Sequence, residues 1–127
     1  MIKKMCLVGA CLIGLSVHAQ NAPRCEGGIE TTGIQNGHTY CISQITMNWW
    51  SAHSWCRAQG RHLATMAEAC NGDIGNCCNI NDPALPDYFE YEWTATANGA
   101  SAAKTVHVRG CNISTRRRQN PSRAICF

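Results

Sequence analysis

The chain has 127 residues, and its 11 lysines and arginines and 8 aspartates and glutamates give a formal net charge of +3 at pH 7. This length is suited to one small domain. The net charge is too small to indicate, by itself, a highly charged partner such as nucleic acid.

The N-terminus has the three-part layout of a secretory signal peptide. Lys3 and Lys4 precede an apolar run at 5–17, and cleavage is expected after Ala19. The run has 13 residues, whereas a membrane-spanning helix needs about 20. We therefore predict an exported protein with no membrane span, located in the periplasm, at the cell surface or in the medium, where nucleic acid is not an expected partner. The alternative is cleavage before Cys11, which would leave a lipid-anchored protein.

Disulfides are expected to hold the mature domain, residues 20–127. The domain keeps an even number of cysteines, which in a short exported chain indicates a disulfide framework. They are Cys25, Cys41, Cys56, Cys70, Cys77, Cys78, Cys111 and Cys126. A zinc cluster is the alternative, but the C-x2-C spacing typical of zinc sites does not occur in this chain.

A hairpin is predicted near the start of the domain. Asn36-Gly37 is a strong two-residue turn signal, and the flanking segments 33–34 and 38–42 are expected to pair as short strands. Cys25 and Cys41 lie on either side of this unit and are placed to link it.

A helix is predicted next. Thr46 or Asn48 can cap its start, Gln59 closes it, and Gly60 suits the left-handed position after the last turn. At 100° per residue, an apolar face carries Trp49, Ala52 and Cys56, with Trp55 at its edge. A second face is aromatic and basic and carries Trp50, His53 and Arg57. These three are candidate ligand contacts, unless the loop at 71–87 covers Trp50.

The rest of the chain predicts a short helix, a loop and three strands. The helix is expected at 66–70, and the composition of 71–87 is that of a loop. The expected strands are 88–96, 104–109 and 123–127. Strands that follow helices indicate an α+β fold with an antiparallel sheet of short strands, one main helix and a second short helix.

Charges are distributed unevenly along the domain. An acidic cluster consists of Asp82, Asp87, Glu90 and Glu92, and a basic cluster consists of Arg109, Arg116, Arg117, Arg118 and Arg123. The two clusters either face each other or are solvated, and the alternative is that the arginines form a patch for an anionic ligand. Glu90 and Glu92 are expected on one exposed face of a strand.

Three segments resemble the C-type-lectin-like domain. The first is Trp49-x2-Ala52-x3-Cys56-x3-Gly60-x2-Leu63-Ala64-x-Met66, the second is Glu92-Trp93-Thr94, and the third is Ala124-Ile125-Cys126. The resemblance extends over residues 40–127. It implies that Trp49 and Ala52 pack the main helix inward and that Cys56 bonds to Cys126 on the last strand.

The resemblance also bears on the other cysteines. Cys25–Cys41 matches the additional N-terminal bridge of longer family members. Of the remaining four, one of the adjacent Cys77 and Cys78 is expected to bond Cys111 and the other Cys70, with a strained Cys77–Cys78 bridge as the alternative.

The sequence departs from the calcium-dependent lectins of that family. Their site needs a Pro-containing acidic triplet in a long loop, but residues 93–106 contain no acidic residue and Asn120-Pro121-Ser122 lacks a carboxylate. Asn81-Asp82-Pro83 lies before Trp93 and is in the wrong place for that loop. Calcium prefers six to eight oxygen ligands, several of them charged, so a compact form without the calcium site is expected.

No catalytic residue is predicted. His53 lies three positions before Cys56, but a Cys/His pair needs a free thiolate, and the cysteine count and the resemblance assign Cys56 to a disulfide. The histidines of the domain lack metal-ligand spacing; they are His38, His53, His62 and His107. We predict neither a metal ion nor another cofactor.

The combined prediction is a secreted, non-enzymatic binding module that functions in adhesion. Its partner is expected to be a glycan or a cell-surface or secreted protein, recognised without calcium. The candidate contacts are Trp50, His53, Arg57, Arg116, Arg117, Arg118 and Arg123. The alternatives are a structural subunit of a surface appendage or envelope assembly, or a small exported inhibitor or effector.

Overall fold

The computed structural model describes residues 22–33, 37–70, 82–108 and 112–127. They form a small α+β domain with a six-stranded sheet, two helices and the disulfides Cys25–Cys41 and Cys56–Cys126. The strands are β1 (Gly28–Glu30), β2 (Cys41–Ser43), β3 (Tyr91–Asn98), β4 (Ala102–His107), β5 (Ile113–Arg117) and β6 (Arg123–Cys126), and the helices are α1 (Trp49–Ala58) and α2 (Met66–Ala69). In the part of the chain described here, no helix has the length and apolar character needed to cross a membrane.

The sheet has the strand order β1-β2-β6-β3-β4-β5. Neighbouring strands are antiparallel except β3 and β6, which run parallel. The N-terminal strand is earlier than predicted, because Ile29 pairs with Ile42 on β2. Gly33, which was predicted to lie in a strand, instead donates its backbone N–H to Asp82. Residues 34–36, including the first residue of the predicted turn, lie outside the described ranges.

Strand β5 was not predicted from the sequence. It forms the sheet edge beside β4, and all its residues except Ile113 are exposed. A strand with one solvated edge and almost no buried side chains has no alternating apolar pattern to reveal it. Arginines at an edge also oppose pairing with another chain.

Helix α1 begins and ends where local side-chain chemistry predicts. The Asn48 side chain accepts a hydrogen bond from the backbone N–H of Ser51 at 2.8 Å, and Gln59 is the C-cap. Gly60 follows with φ of +71°, and a Cβ there would lie 2.9 Å from the carbonyl oxygen of Ala22. Glycine therefore satisfies both the left-handed backbone and the close approach of the N-terminal segment.

The core has two parts, one on each face of the sheet. One surrounds Trp93, whose side chain is fully buried and whose Nε1 donates to the carbonyl of Met47 at 2.8 Å. Cys56 and Cys126 belong to this part, and their disulfide joins α1 to β6. The other part contains Phe89 and packs under α2. Cys70 is also disulfide-bonded; Cys77, Cys78 and Cys111 lie outside the described residues, so the pairing of these four stays a prediction.

Asp82, which the sequence analysis assigned to an acidic cluster that either faces the basic cluster or is solvated, is buried and links two loops to each other. Its carboxylate accepts hydrogen bonds from the backbone N–H groups of Thr32, Gly33 and Ala84 at 2.8–3.0 Å. Burial alone would raise the pKa of Asp82, but these hydrogen bonds outweigh it and hold the pKa below its ordinary value.

We expect Asp82→Asn to lower the free energy of unfolding by about 1–2 kcal/mol at pH 7, because an amide replaces a charged acceptor. A lowered pKa stabilises the folded state above the ordinary pKa of aspartate, so the difference should narrow as the pH falls below about 4. Urea unfolding at pH 7 and at a pH below about 4 measures this difference in stability. Glu26→Gln, at an exposed position, is the control, and equal stability of Asp82→Asn and wild type at pH 7 would contradict the proposed role of Asp82.

Candidate functional site

Trp50 is exposed, as its predicted role as a ligand contact requires. Its side chain is 54% exposed and lies in a groove of about 520 Å³ on the outer side of α1. The groove is lined by Ile45, Met47, Trp50, Ser51, Ser54 and Trp55. Its volume lies in the range of sites that hold small molecules. The lining is mainly aromatic and aliphatic, with serine hydroxyls on the helix side.

His53 and Arg57 do not line this groove. His53 is half-buried, and its ring packs edge-on against Trp49 with 4.4 Å between centroids. Burial, and after it the charges of Arg57 and Arg118, lower the pKa of His53. Its Nε2 is buried without a hydrogen-bond partner among the described residues. His53 therefore belongs to the packing around Trp49, while Arg57 is an exposed residue farther along α1.

The Arg118 side chain is held by contacts within the domain and is not a free ligand contact. Its guanidinium lies 4.3 Å from the centroid of the Trp49 ring, a cation–π distance. Its Nε donates to the carbonyl of Ala102 at 3.0 Å and its Nη2 to that of Gly99 at 2.8 Å. Arg118 thus joins the β3–β4 turn to the start of α1, where its own carbonyl accepts the N–H of Trp49.

Arg116 and Arg123 meet at a second, smaller groove of about 170 Å³. The other lining residues are Thr46, Tyr88, Glu90, Tyr91, Pro121 and Ser122. Arg123 lies over the Phe89 ring at 4.2 Å and near that of Tyr88 at 5.4 Å, and its Nε donates to the carbonyl of Gln44. Arg117 is exposed on β5 but does not line this groove. Arg109 lies outside the described residues.

The segment 45–47 separates the two grooves. Ile45 and Met47 line the first groove, and Thr46 lines the second. Met47 exchanges two backbone hydrogen bonds with Ser122, which also lines the second groove. The two grooves are therefore neighbours across a rim that is tied to the start of β6.

Glu92 is buried, contrary to the prediction of an exposed strand face. Its side chain has no exposed surface, and neither carboxylate oxygen has a hydrogen-bond partner among the described residues. Burial raises the pKa of Glu92 to about 7. The charge of Arg123, which is paired with Glu92 on the neighbouring strand β6, acts in the opposite direction. Both faces of β3 are covered at Glu92. The alternating sequence pattern of a single strand does not reveal that its second face is also buried.

A third cavity, of about 600 Å³, lies at the opposite end of the sheet and was not predicted. Its lining includes Glu30, His38, Arg61, His62 and Phe127. The Arg61 side chain is nearly buried, and it donates to the carbonyls of residues 24 and 39 and to the Glu30 carboxylate. The Arg61 guanidinium thus already has partners within the domain.

The described residues contain no group of three or more His, Cys, Asp or Glu side chains that could hold a metal ion. Comparison with known proteins finds no matching protein family, no similar curated protein and no similar solved structure.

Proposed function

We propose that the chain is an exported binding module with a C-type-lectin-like fold, and that the groove around Trp50 contacts a glycan without calcium. Three features support the fold. The disulfide Cys56–Cys126 joins the main helix to the last strand, Trp93 is buried in the same part of the core, and β6 lies near the centre of the sheet. The first of these is the disulfide pairing that the sequence resemblance implies.

The exposed indole of Trp50 is the observation that carries the proposed function. A sugar ring has an apolar C–H face that stacks on an indole and a hydroxyl rim that needs hydrogen-bonding groups. The groove combines Trp50 with the hydroxyls of Ser51 and Ser54. Burying an exposed Trp side chain on a ligand is also typical of binding hot spots.

The β3–β4 connection supports recognition without calcium. Only residues 99–101 join these strands, and none of them carries a carboxylate. Calcium needs several charged oxygen ligands, and this turn supplies none. In the Trp50 groove the proposed ligand interacts with aromatic rings and hydroxyls.

A structural subunit of a surface assembly is the second candidate. Ile45 is 62% exposed, Tyr88 64% and Trp50 54%. Ile45 and Trp50 line the first groove, and Tyr88 lines the neighbouring one. Exposed apolar side chains on neighbouring grooves are typical of surfaces that pack against another chain. Self-association of the purified domain, abolished by substitution of Ile45, would favour this candidate.

We expect Trp50→Ala to reduce glycan binding at least about tenfold, because stacking on the indole is lost. Binding of the purified domain to a glycan array, in calcium and in chelator, measures this. The expected result is a bound glycan class with equal signals in both buffers and a greatly reduced signal for the variant.

Arg57→Ala is the matched control, because Arg57 is exposed on the same helix but outside the groove. It should bind like wild type, and both variants should unfold at the wild-type temperature. Binding that disappears in chelator, or binding unaffected by Trp50→Ala, would contradict the proposed function.

A further inference from the structure

The groove of Arg116 and Arg123 is too small for a whole ligand. Its volume of about 170 Å³ is below the roughly 300 Å³ at which small-molecule pockets usually begin. It has room for one substituent and a few waters. Because it adjoins the Trp50 groove across Thr46, a substituent placed there can belong to a ligand whose ring lies on Trp50.

The charges of this groove select an acidic substituent. Two guanidinium groups line it against one carboxylate, that of Glu90. Arg116 is exposed at the sheet edge, where its backbone belongs to the β4–β5 ladder, and its guanidinium has no hydrogen bond or ion pair within the described part of the chain. A guanidinium presents paired N–H donors that match a carboxylate or a sulfate.

Glu92 and Arg123 are paired on the neighbouring strands β3 and β6, and the positive charge of Arg123 favours the ionised form of Glu92. The two residues are opposite each other in the parallel register of β3 and β6. The backbone N–H groups of Arg123 and Glu90 also favour the ionised form of Glu92, but the charge of Arg123 has the larger effect in this direction. From β4 the facing residue is Val106, which is uncharged, and His107 packs against Tyr91 instead. From β3 itself the nearby charge is that of Glu90.

We propose that the ligand is an acidic saccharide whose acid group binds between Arg116 and Arg123, and that protonation of the buried Glu92 strengthens this binding. The proposal rests on the proposed function, because the sugar ring of this ligand lies on Trp50. With Glu92 neutral, Arg116 and Arg123 outnumber Glu90 and the groove carries a net positive charge. With Glu92 ionised, its negative charge offsets the positive charge of Arg123, so the groove attracts an anion only weakly.

The direction of the pH dependence follows from this competition. The pKa of Glu92 is about 7, so Glu92 is largely neutral at pH 5.5 and largely ionised at pH 8. An anion in the groove further disfavours the ionised form, so the two events are linked. Affinity for the acidic saccharide should therefore fall severalfold, and at most about tenfold, between pH 5.5 and pH 8, and affinity for a neutral one should not change.

Pairs of glycans that differ only in charge test the proposal. The probes are a galacturonic acid tetramer, its neutral methyl ester, a heparin tetrasaccharide and its desulfated form, each titrated at pH 5.5 and pH 8. The expected result is preferential binding of the charged member of at least one pair at pH 5.5, and which pair discriminates identifies a carboxylate or a sulfate as the acid group. Arg116→Ala should remove the preference, whereas Arg117→Ala, exposed on the same strand, should keep it.

Glu92→Gln separates the pH effect from the titration of the ligand. This variant should bind the acidic saccharide equally at pH 5.5 and pH 8. Equal affinity for charged and neutral members, or a pH dependence that survives in Glu92→Gln, would overturn the inference while Trp50-dependent binding leaves the proposed function standing. Absence of binding to every saccharide, on the array and in titration, would overturn both.

Discussion

Glu92→Gln is expected to raise the free energy of unfolding by about 3 kcal/mol at pH 8 and to leave it unchanged at pH 4. The side chain is fully buried, and its pKa is raised from 4.5 to about 7. Each unit of pKa corresponds to about 1.4 kcal/mol of difference between the folded and unfolded environments. Glutamine is neutral at every pH and keeps the size of the side chain, so it removes this cost of ionisation.

The sign of the effect follows from a raised pKa. The wild-type protein is favoured while Glu92 is protonated, and it loses stability as the pH rises from about 4.5 to about 7. Urea unfolding at intervals between pH 4 and pH 8 measures both proteins. Glu90→Gln, at an exposed position two residues earlier, should follow the wild-type curve within about 0.5 kcal/mol. Parallel curves for wild type and Glu92→Gln would show that Glu92 does not titrate between these limits.

Replacing Cys56 and Cys126 together by serine is expected to cost about 4 kcal/mol of stability. The disulfide spans 70 residues of sequence and joins α1 to β6, so its loss enlarges the unfolded ensemble and removes the covalent link between the helix and the sheet. Domains of this size are stabilised by about 5–15 kcal/mol in total. The variant should therefore melt far below the wild-type temperature, which circular dichroism measures.

The disulfide Cys25–Cys41 provides the internal comparison. It spans only 16 residues, so the entropic model predicts that its loss costs about 1 kcal/mol less. The double serine variant at these positions should lie between wild type and the Cys56/Cys126 variant. The reverse order of melting temperatures would contradict the assignment of the longer bridge as the main covalent constraint.

Local chemistry made much of the fold predictable. Helix α1 follows from a 100° periodicity with Asn48 at its start and Gly60 after its end, and α2 follows from the capping box of Thr65 and Glu68. The same periodicity separates Trp49, which packs inward, from Trp50, which is exposed. Strand pairing was less predictable, because the register of β1 depends on β2 and the edge strand β5 buries almost nothing.

The candidate site was harder to predict, because it depends on contacts between segments that are far apart in the sequence. The three arginines at 116–118 look alike in sequence, but Arg116 lines a groove, Arg117 is solvated and Arg118 packs on Trp49. The burial of Glu92 requires both faces of β3 to be covered, which depends on residues far away in the chain. Its neighbour Trp93 gave no signal, because successive side chains of a strand point to opposite faces of the sheet.

The side-chain N–H signals of the tryptophans test most directly whether the Trp50 groove binds the ligand. Trp49 and Trp93 donate their indole N–H groups to backbone carbonyls at 2.9 and 2.8 Å, so a ligand on the outer side of α1 should leave their NMR signals in place. Adding the glycan that binds most strongly on the array should instead shift the Trp50 signal. A bound glycan that leaves the Trp50 signal unmoved would contradict the proposed site.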